Sequence, residues 1–132
     1  MDVVYLIGRI LFALIFVGSG VGHLADSGSV EYAESKGLPN ASLLVRLSGL
    51  TMLAGGLGII FGVLLDVALA GMAAQVLIHS FVMHRFWSEG PDTRTVEMTM
   101  FMKNLSIAGG ALAMLGLAHV FEMPFTLVDN LF

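Results

Sequence analysis

The chain has 132 residues, 57% of them hydrophobic and 12% charged, with a net charge of −4 and no cysteine. Soluble domains carry about 25% charged residues, so much of this surface must meet lipid; the thin acidic balance also excludes a nucleic-acid footprint. Without cysteine there are no disulfides, thiolate metal ligands or dithiol redox chemistry within the chain. The length fits a single domain, residues 1–132.

Residues 3–24 are apolar except for Arg9, Ser19 and His23. That run is long enough to cross a hydrocarbon core of about 30 Å. The start, Met1-Asp2-Val3-Val4, lacks the basic region of a signal peptide, and no cleavage-type motif comes after it, so the run is expected to stay in the mature chain. Arg9 lies about two turns in, where it is expected to snorkel to the near interface. Gly18 and Gly22 form a small-xxx-small pair suited to close helix approach.

Polar residues then interrupt the pattern over 25–41. A short helical turn is expected at 29–36, closed by Gly37 and stopped by Pro39. Asn40 or Ser42 can cap the next helix. The second span covers 42–64, with Arg46 one turn in and the glycines Gly55, Gly56, Gly58 and Gly62 as a packing face. Asp66 marks a tight turn, so the third span, 66–85, pairs antiparallel with the second. Its polar members are Gln75, His79 and His84. A polar loop, 86–96, leads to the fourth span, 97–121, which carries Lys103 and Asn104 early. Residues 122–132 read as a short amphipathic tail. Spanning segments must satisfy their backbone internally, so the fold class is an all-α, four-helix transmembrane bundle with both termini on one side.

Lysine and arginine concentrate near the 25–41 and 86–96 loops: Lys36, Arg46, Arg85, Arg94 and Lys103 against Arg9 alone on the other side. The positive-inside tendency places those loops in the cytoplasm and both termini outside.

His23, Arg46, His79, His84, Lys103 and Asn104 fall at similar depth near one membrane face. Charges below the interface are costly, and Arg46 and Lys103 have no acidic partner inside the expected spans. The available partners are the loop carboxylates Asp26, Glu31, Glu34 and Glu97, lipid phosphate, or a carbonyl-bearing ligand. The cluster reads as a head-group pocket for a quinone or lipid, with Lys103, His84, Asn104 and Arg46 as donors. Phe81 and Trp87 would be its walls, and His79 and His23 lie deeper. The competing readings are snorkelling for the cations, an interfacial belt for His84-Arg85-Phe86-Trp87, and packing for His79. Two histidines on different helices could also ligate haem b. His79 and His84 are about 140° apart around a helix and cannot share a metal. No metal site is expected, and the scattered methionines read as packing.

Several stretches support a family resemblance: Arg9 with Leu11-Phe12-Ala13-Leu14-Ile15-Phe16, Gly18-Ser19-Gly20 and His23-Leu24; Gly37-Leu38-Pro39; Gly49 with Gly55-Gly56-Leu57; Phe81-x-x-His84-x-Phe86-Trp87; and Lys103-Asn104-Leu105 with Gly109-Gly110. In this order and spacing the chain resembles the DoxX family of small four-span bacterial membrane proteins. The resemblance implies a place in the inner membrane beside redox chemistry. Some relatives look like subunits of thiosulfate:quinone oxidoreductases, and others are linked to complexes handling thiol or superoxide stress. Many members carry an acidic residue three positions after the glycine matched by Gly49, where this chain has Met52.

These readings support three functional expectations. The first is an accessory subunit of a membrane oxidoreductase assembly, not catalytic alone, that binds a quinone or lipid head group among membrane lipids and partner subunits. The second is a purely structural subunit of a larger membrane complex without ligand chemistry. The third is a haem b bundle.

Overall fold

The computed structural model describes residues 1–132. Its five α-helices are, in order, α1 Asp2–Ala25, α2 Gly28–Ser35, α3 Ala41–Phe61, α4 Leu65–Met83 and α5 Pro91–Val120, with a 3-10 turn at Phe86–Ser88. Four stretches, α1, α3, α4 with its following turn, and α5, are long and apolar enough to cross a membrane. The protein is a four-span helical membrane bundle.

Local chemistry explains the boundaries. Gly37, at φ +78°, ends α2 in the left-handed conformation that glycine adopts freely. Asn40 stands at the N-cap of α3, itself left-handed at φ 51°, and makes no side-chain cap bond. α5 starts at Pro91, with Asp92 in its first turn. Proline is suited to the first helical position because that N–H has no helical partner. This start lies six residues before the expected one and moves Glu97 from the head of the span into the second turn of the helix.

α1 packs chiefly on α3, and α4 on α5, with α3 and α4 joining the two pairs. α1 and α3 touch backbone to backbone. A Cβ on Gly20 would lie 2.8 Å from the Leu53 nitrogen, and one on Gly49 would lie 3.0 Å from the Gly20 carbonyl oxygen. The expected pair, Gly18 and Gly22, does not make this contact: both face open space. They lie on another side of α1 from Gly20.

Gly62 is likewise not part of a helix face. It caps α3 at φ 62°, and the C-terminal tail runs against it, with Thr126 Cα 2.7 Å from where a Cβ would sit. Only glycine meets both demands.

The solid core fills the half of the bundle nearest the termini. Phe16, Ile59, Leu65 and Leu69 are fully buried there, with Ala13, Ala108 and Ala111 as small partners. The same end corrects two expectations. Residues 121–132 form no amphipathic helix; they cross the end of the bundle as an extended strap. Leu127 and Val128 donate to the Gly62 carbonyl, and Val63 bridges Val128. Arg9 does not snorkel. It is 1% exposed and donates to the carbonyls of Ile60, Pro124 and Phe125 at 3.2, 3.3 and 2.8 Å. Asp66 is fully buried and accepts from the Leu131 and Phe132 amides at 2.7 Å each.

Candidate functional site

The half of the bundle nearest the α1–α3 and α4–α5 connections holds a cavity of about 500 Å³. It forms where the two helix pairs stand apart. Fourteen of its 24 lining residues are hydrophobic, so it suits a ligand with a substantial apolar part. Its lining includes Leu44, Leu47, Ile78 and Val82, which are exposed on the lipid-facing surfaces of α3 and α4. The cavity thus opens sideways between these helices, toward lipid. Ser29, Tyr32 and Ala33 of α2 close it at the loop end. Ala33, Ala41 and Val45 form a small buried cluster that seats α2.

Five expected site residues line this cavity: His23, His79, His84, Lys103 and Asn104. Three do not. Arg46 is exposed on α3 outside the lining. Phe81 and Trp87 are half exposed and pack with Phe86 and Phe101 in an edge-to-face aromatic cluster outside the cavity. Arg9 lies at the opposite end of the bundle, under the tail.

The polar lining divides into engaged and free groups. Gln75 is engaged at both ends of its amide: Thr51 donates to its oxygen at 2.8 Å, and one of its N–H groups donates to the Ser48 carbonyl at 2.9 Å. The Ser48 hydroxyl lies 2.8 Å from both the Val45 carbonyl and His23 Nδ1 and bonds to each. His79 lies 6.1 Å from His23, ring to ring, and makes no side-chain hydrogen bond. Asn104 is 7% exposed and its amide also makes none. Lys103 touches only the Met100 sulfur, at 3.4 Å. Met52 is buried in the lining.

A second cluster stands at the loop end of the cavity, with Glu97, 6% exposed, at its centre. Glu97 accepts from Tyr32 at 2.7 Å, Lys36 at 2.9 Å and His84 Nδ1 at 2.8 Å. Lys36 also pairs with Glu89 at 2.6 Å, and Arg85 donates to the Lys36 carbonyl. These bonds fasten α2 to α5 and to the turn between the last two spans. Burial works against the Lys36 ammonium, but its bonds to Glu89 and Glu97 outweigh that and raise its pKa. Burial, reinforced by the Glu97 carboxylate, pushes the Tyr32 phenol up to about 12. Glu97 therefore serves Lys36, Tyr32 and His84, not Arg46 or Lys103 as the sequence suggested; neither of those cations forms an ion pair.

Tyr32, Lys36 and Glu97 are site residues that the sequence did not mark as such. Pro91 was the usable signal, since a helix starting there carries Glu97 inward by nearly two turns. Nothing local marks Tyr32.

Residues 4–85 match the DoxX family. Over 112 residues the chain is 36% identical to inner membrane protein YqjF of Escherichia coli strain K12, an alignment covering 84% of this chain and 81% of that protein. No solved structure matches the chain. The chain belongs to the DoxX family.

Proposed function

We propose that this DoxX-family protein is a bacterial inner-membrane binding subunit whose cavity takes the polar ring of an isoprenoid quinone. In this reading it serves a membrane oxidoreductase assembly and is not catalytic alone. The inner membrane is the location that the name of its relative in Escherichia coli states. The loops holding α2 and the 3-10 turn face the cytoplasm, in line with the positive-inside tendency.

One observation carries the proposal. A largely apolar cavity opens to lipid between α3 and α4, and in its lining the side chains of Asn104 and His79 make no hydrogen bond to the protein, while the exposed Lys103 at its edge meets only the Met100 sulfur. A ring with two oxygens satisfies such groups, and its isoprenoid chain leaves through the lateral opening. A phospholipid head group fits less well. Lys103 is the only permanent cation in the lining, while the other basic residue of the cluster, Lys36, is occupied by Glu89 and Glu97.

Mass spectrometry of lipids and quinones co-purifying with the protein tests this. Quinone is expected at near one per chain and is expected to fall several-fold in Lys103→Met and in Asn104→Leu. Quinone absent from the wild type, or retained unchanged by both variants, overturns the proposal. Phospholipid lost in step with Lys103 would assign the cavity to a head group instead.

A further inference from the structure

The cavity wall includes a histidine, His84, whose ring is held by its neighbours. Every hydrogen-bonding contact of its ring is made by Nδ1, 2.8 Å from Glu97 Oε2 and 3.3 Å from the Tyr32 hydroxyl. A carboxylate only accepts, so Nδ1 carries the hydrogen. A neutral imidazole with its hydrogen on Nδ1 has its lone pair on Nε2. Both carboxylates beside the ring already have a fixed cation in Lys36, which is bonded to Glu89 and Glu97, and Arg85 donates to the Lys36 carbonyl. Tyr32 gives its proton to Glu97 and offers none to the cavity. In the neutral ring, Nε2 is a hydrogen-bond acceptor with no partner inside the protein, and the Nδ1 bond to the buried Glu97 carboxylate fixes the ring's orientation.

Resting on the quinone reading, we propose that His84 Nε2 selects a ligand ring bearing a hydroxyl group, the hydroquinone over the quinone. A quinone carbonyl at Nε2 sets two acceptors against each other. A hydroquinone hydroxyl donates to Nε2, while its second oxygen accepts from Lys103 or Asn104 as a carbonyl would. Glu97 is then a positioning residue: it fixes the tautomer and ring plane of His84 without touching the ligand.

The test compares a decyl-tailed benzoquinone with its hydroquinone, titrated anaerobically at neutral pH into the full chain in lipid nanodiscs. One hydrogen bond gained against one acceptor clash corresponds to about tenfold tighter hydroquinone binding. His84→Phe is expected to erase that preference without weakening the quinone. His84→Gln keeps a polar side chain of similar size with an acceptor oxygen and is expected to retain part of the preference, which guards against a folding defect in the first variant. Equal binding of the two rings by the wild type, tighter binding of the quinone, or a preference unchanged in both variants overturns the assignment of His84 and leaves the cavity reading standing. Binding of neither ring overturns both.

Discussion

Arg9 shows how a single buried charge is accommodated. It has no carboxylate partner, and an isolated charge in an apolar interior is costly. Its guanidinium instead meets the carbonyl of Ile60, in the last turn of α3, where helix carbonyls lack helical partners and the dipole is negative. The tail supplies two more carbonyls, from Pro124 and Phe125. Asp66 mirrors this in the first turn of α4, where the dipole is positive, and takes the last two amides of the chain. Each charge thus uses a helix end and the strap together. Arg9→Leu leaves three carbonyls without this donor and is expected to destabilise the protein by a few kcal/mol, at about 1–3 kcal/mol for each group left buried and unpaired. Removing residues 124–132 is expected to cost a similar amount. Because both changes break the Arg9 bonds to Pro124 and Phe125, their combination should cost less than the sum. Thermal unfolding of the four proteins in one detergent measures this, and strict additivity would show that Arg9 and the strap act independently.

At the scale of elements, the α1–α3 crossing depends on two glycines that a spacing rule does not single out. Gly18 and Gly22 fit the four-residue motif but face open space, whereas Gly20 and Gly49 lie back to back. A motif reports that close approach is permitted; the rotation of the helix decides which glycines are used. Gly49→Ala is expected to destabilise by about 1–3 kcal/mol, the cost of forcing an extra methyl into a packed contact. Gly20→Ala should do the same. Gly18→Ala and Gly22→Ala should be neutral or slightly stabilising, since alanine is the better helix former. Unfolding midpoints of the four variants decide it, and equal losses at all four positions would contradict the crossing described. Glu97 belongs at this scale too. The early start of α5 at Pro91 sets Glu97 in the second turn of the helix, and from there it fastens α2 over the cavity through Tyr32 and Lys36.

For the whole molecule, the two ends differ in construction. One is a packed core sealed by the strap; the other is a cavity roofed by α2 and open to lipid. The cationic residues gather at the cavity end, so the proposed orientation puts α2 in the cytoplasm. The chain has no cysteine, which makes it a ready background for single-cysteine labelling. Glu31→Cys, on exposed α2, is expected to resist a membrane-impermeant thiol reagent in spheroplasts and to react in inverted vesicles. Glu122→Cys, exposed on the strap side, should behave oppositely. The reverse pattern would invert the orientation and place the α2 roof outside the cell.

The sequence alone determined the fold class and the four spans, because lipid imposes long apolar runs and makes every interruption conspicuous. It also singled out His23, His79, His84, Lys103 and Asn104, each a polar residue in an apolar run. It could not separate these from Arg46, because depth is legible in one dimension while the direction a side chain faces depends on how its helix is rotated. Only the tertiary structure brought Tyr32 and Lys36 to Glu97, across 65 and 61 positions of chain, and set the tail between Arg9 and Asp66. Those contacts join segments far apart in the chain. Their partners are buried carbonyls, amides and a carboxylate, whose need for satisfaction arises only once packing has removed them from water.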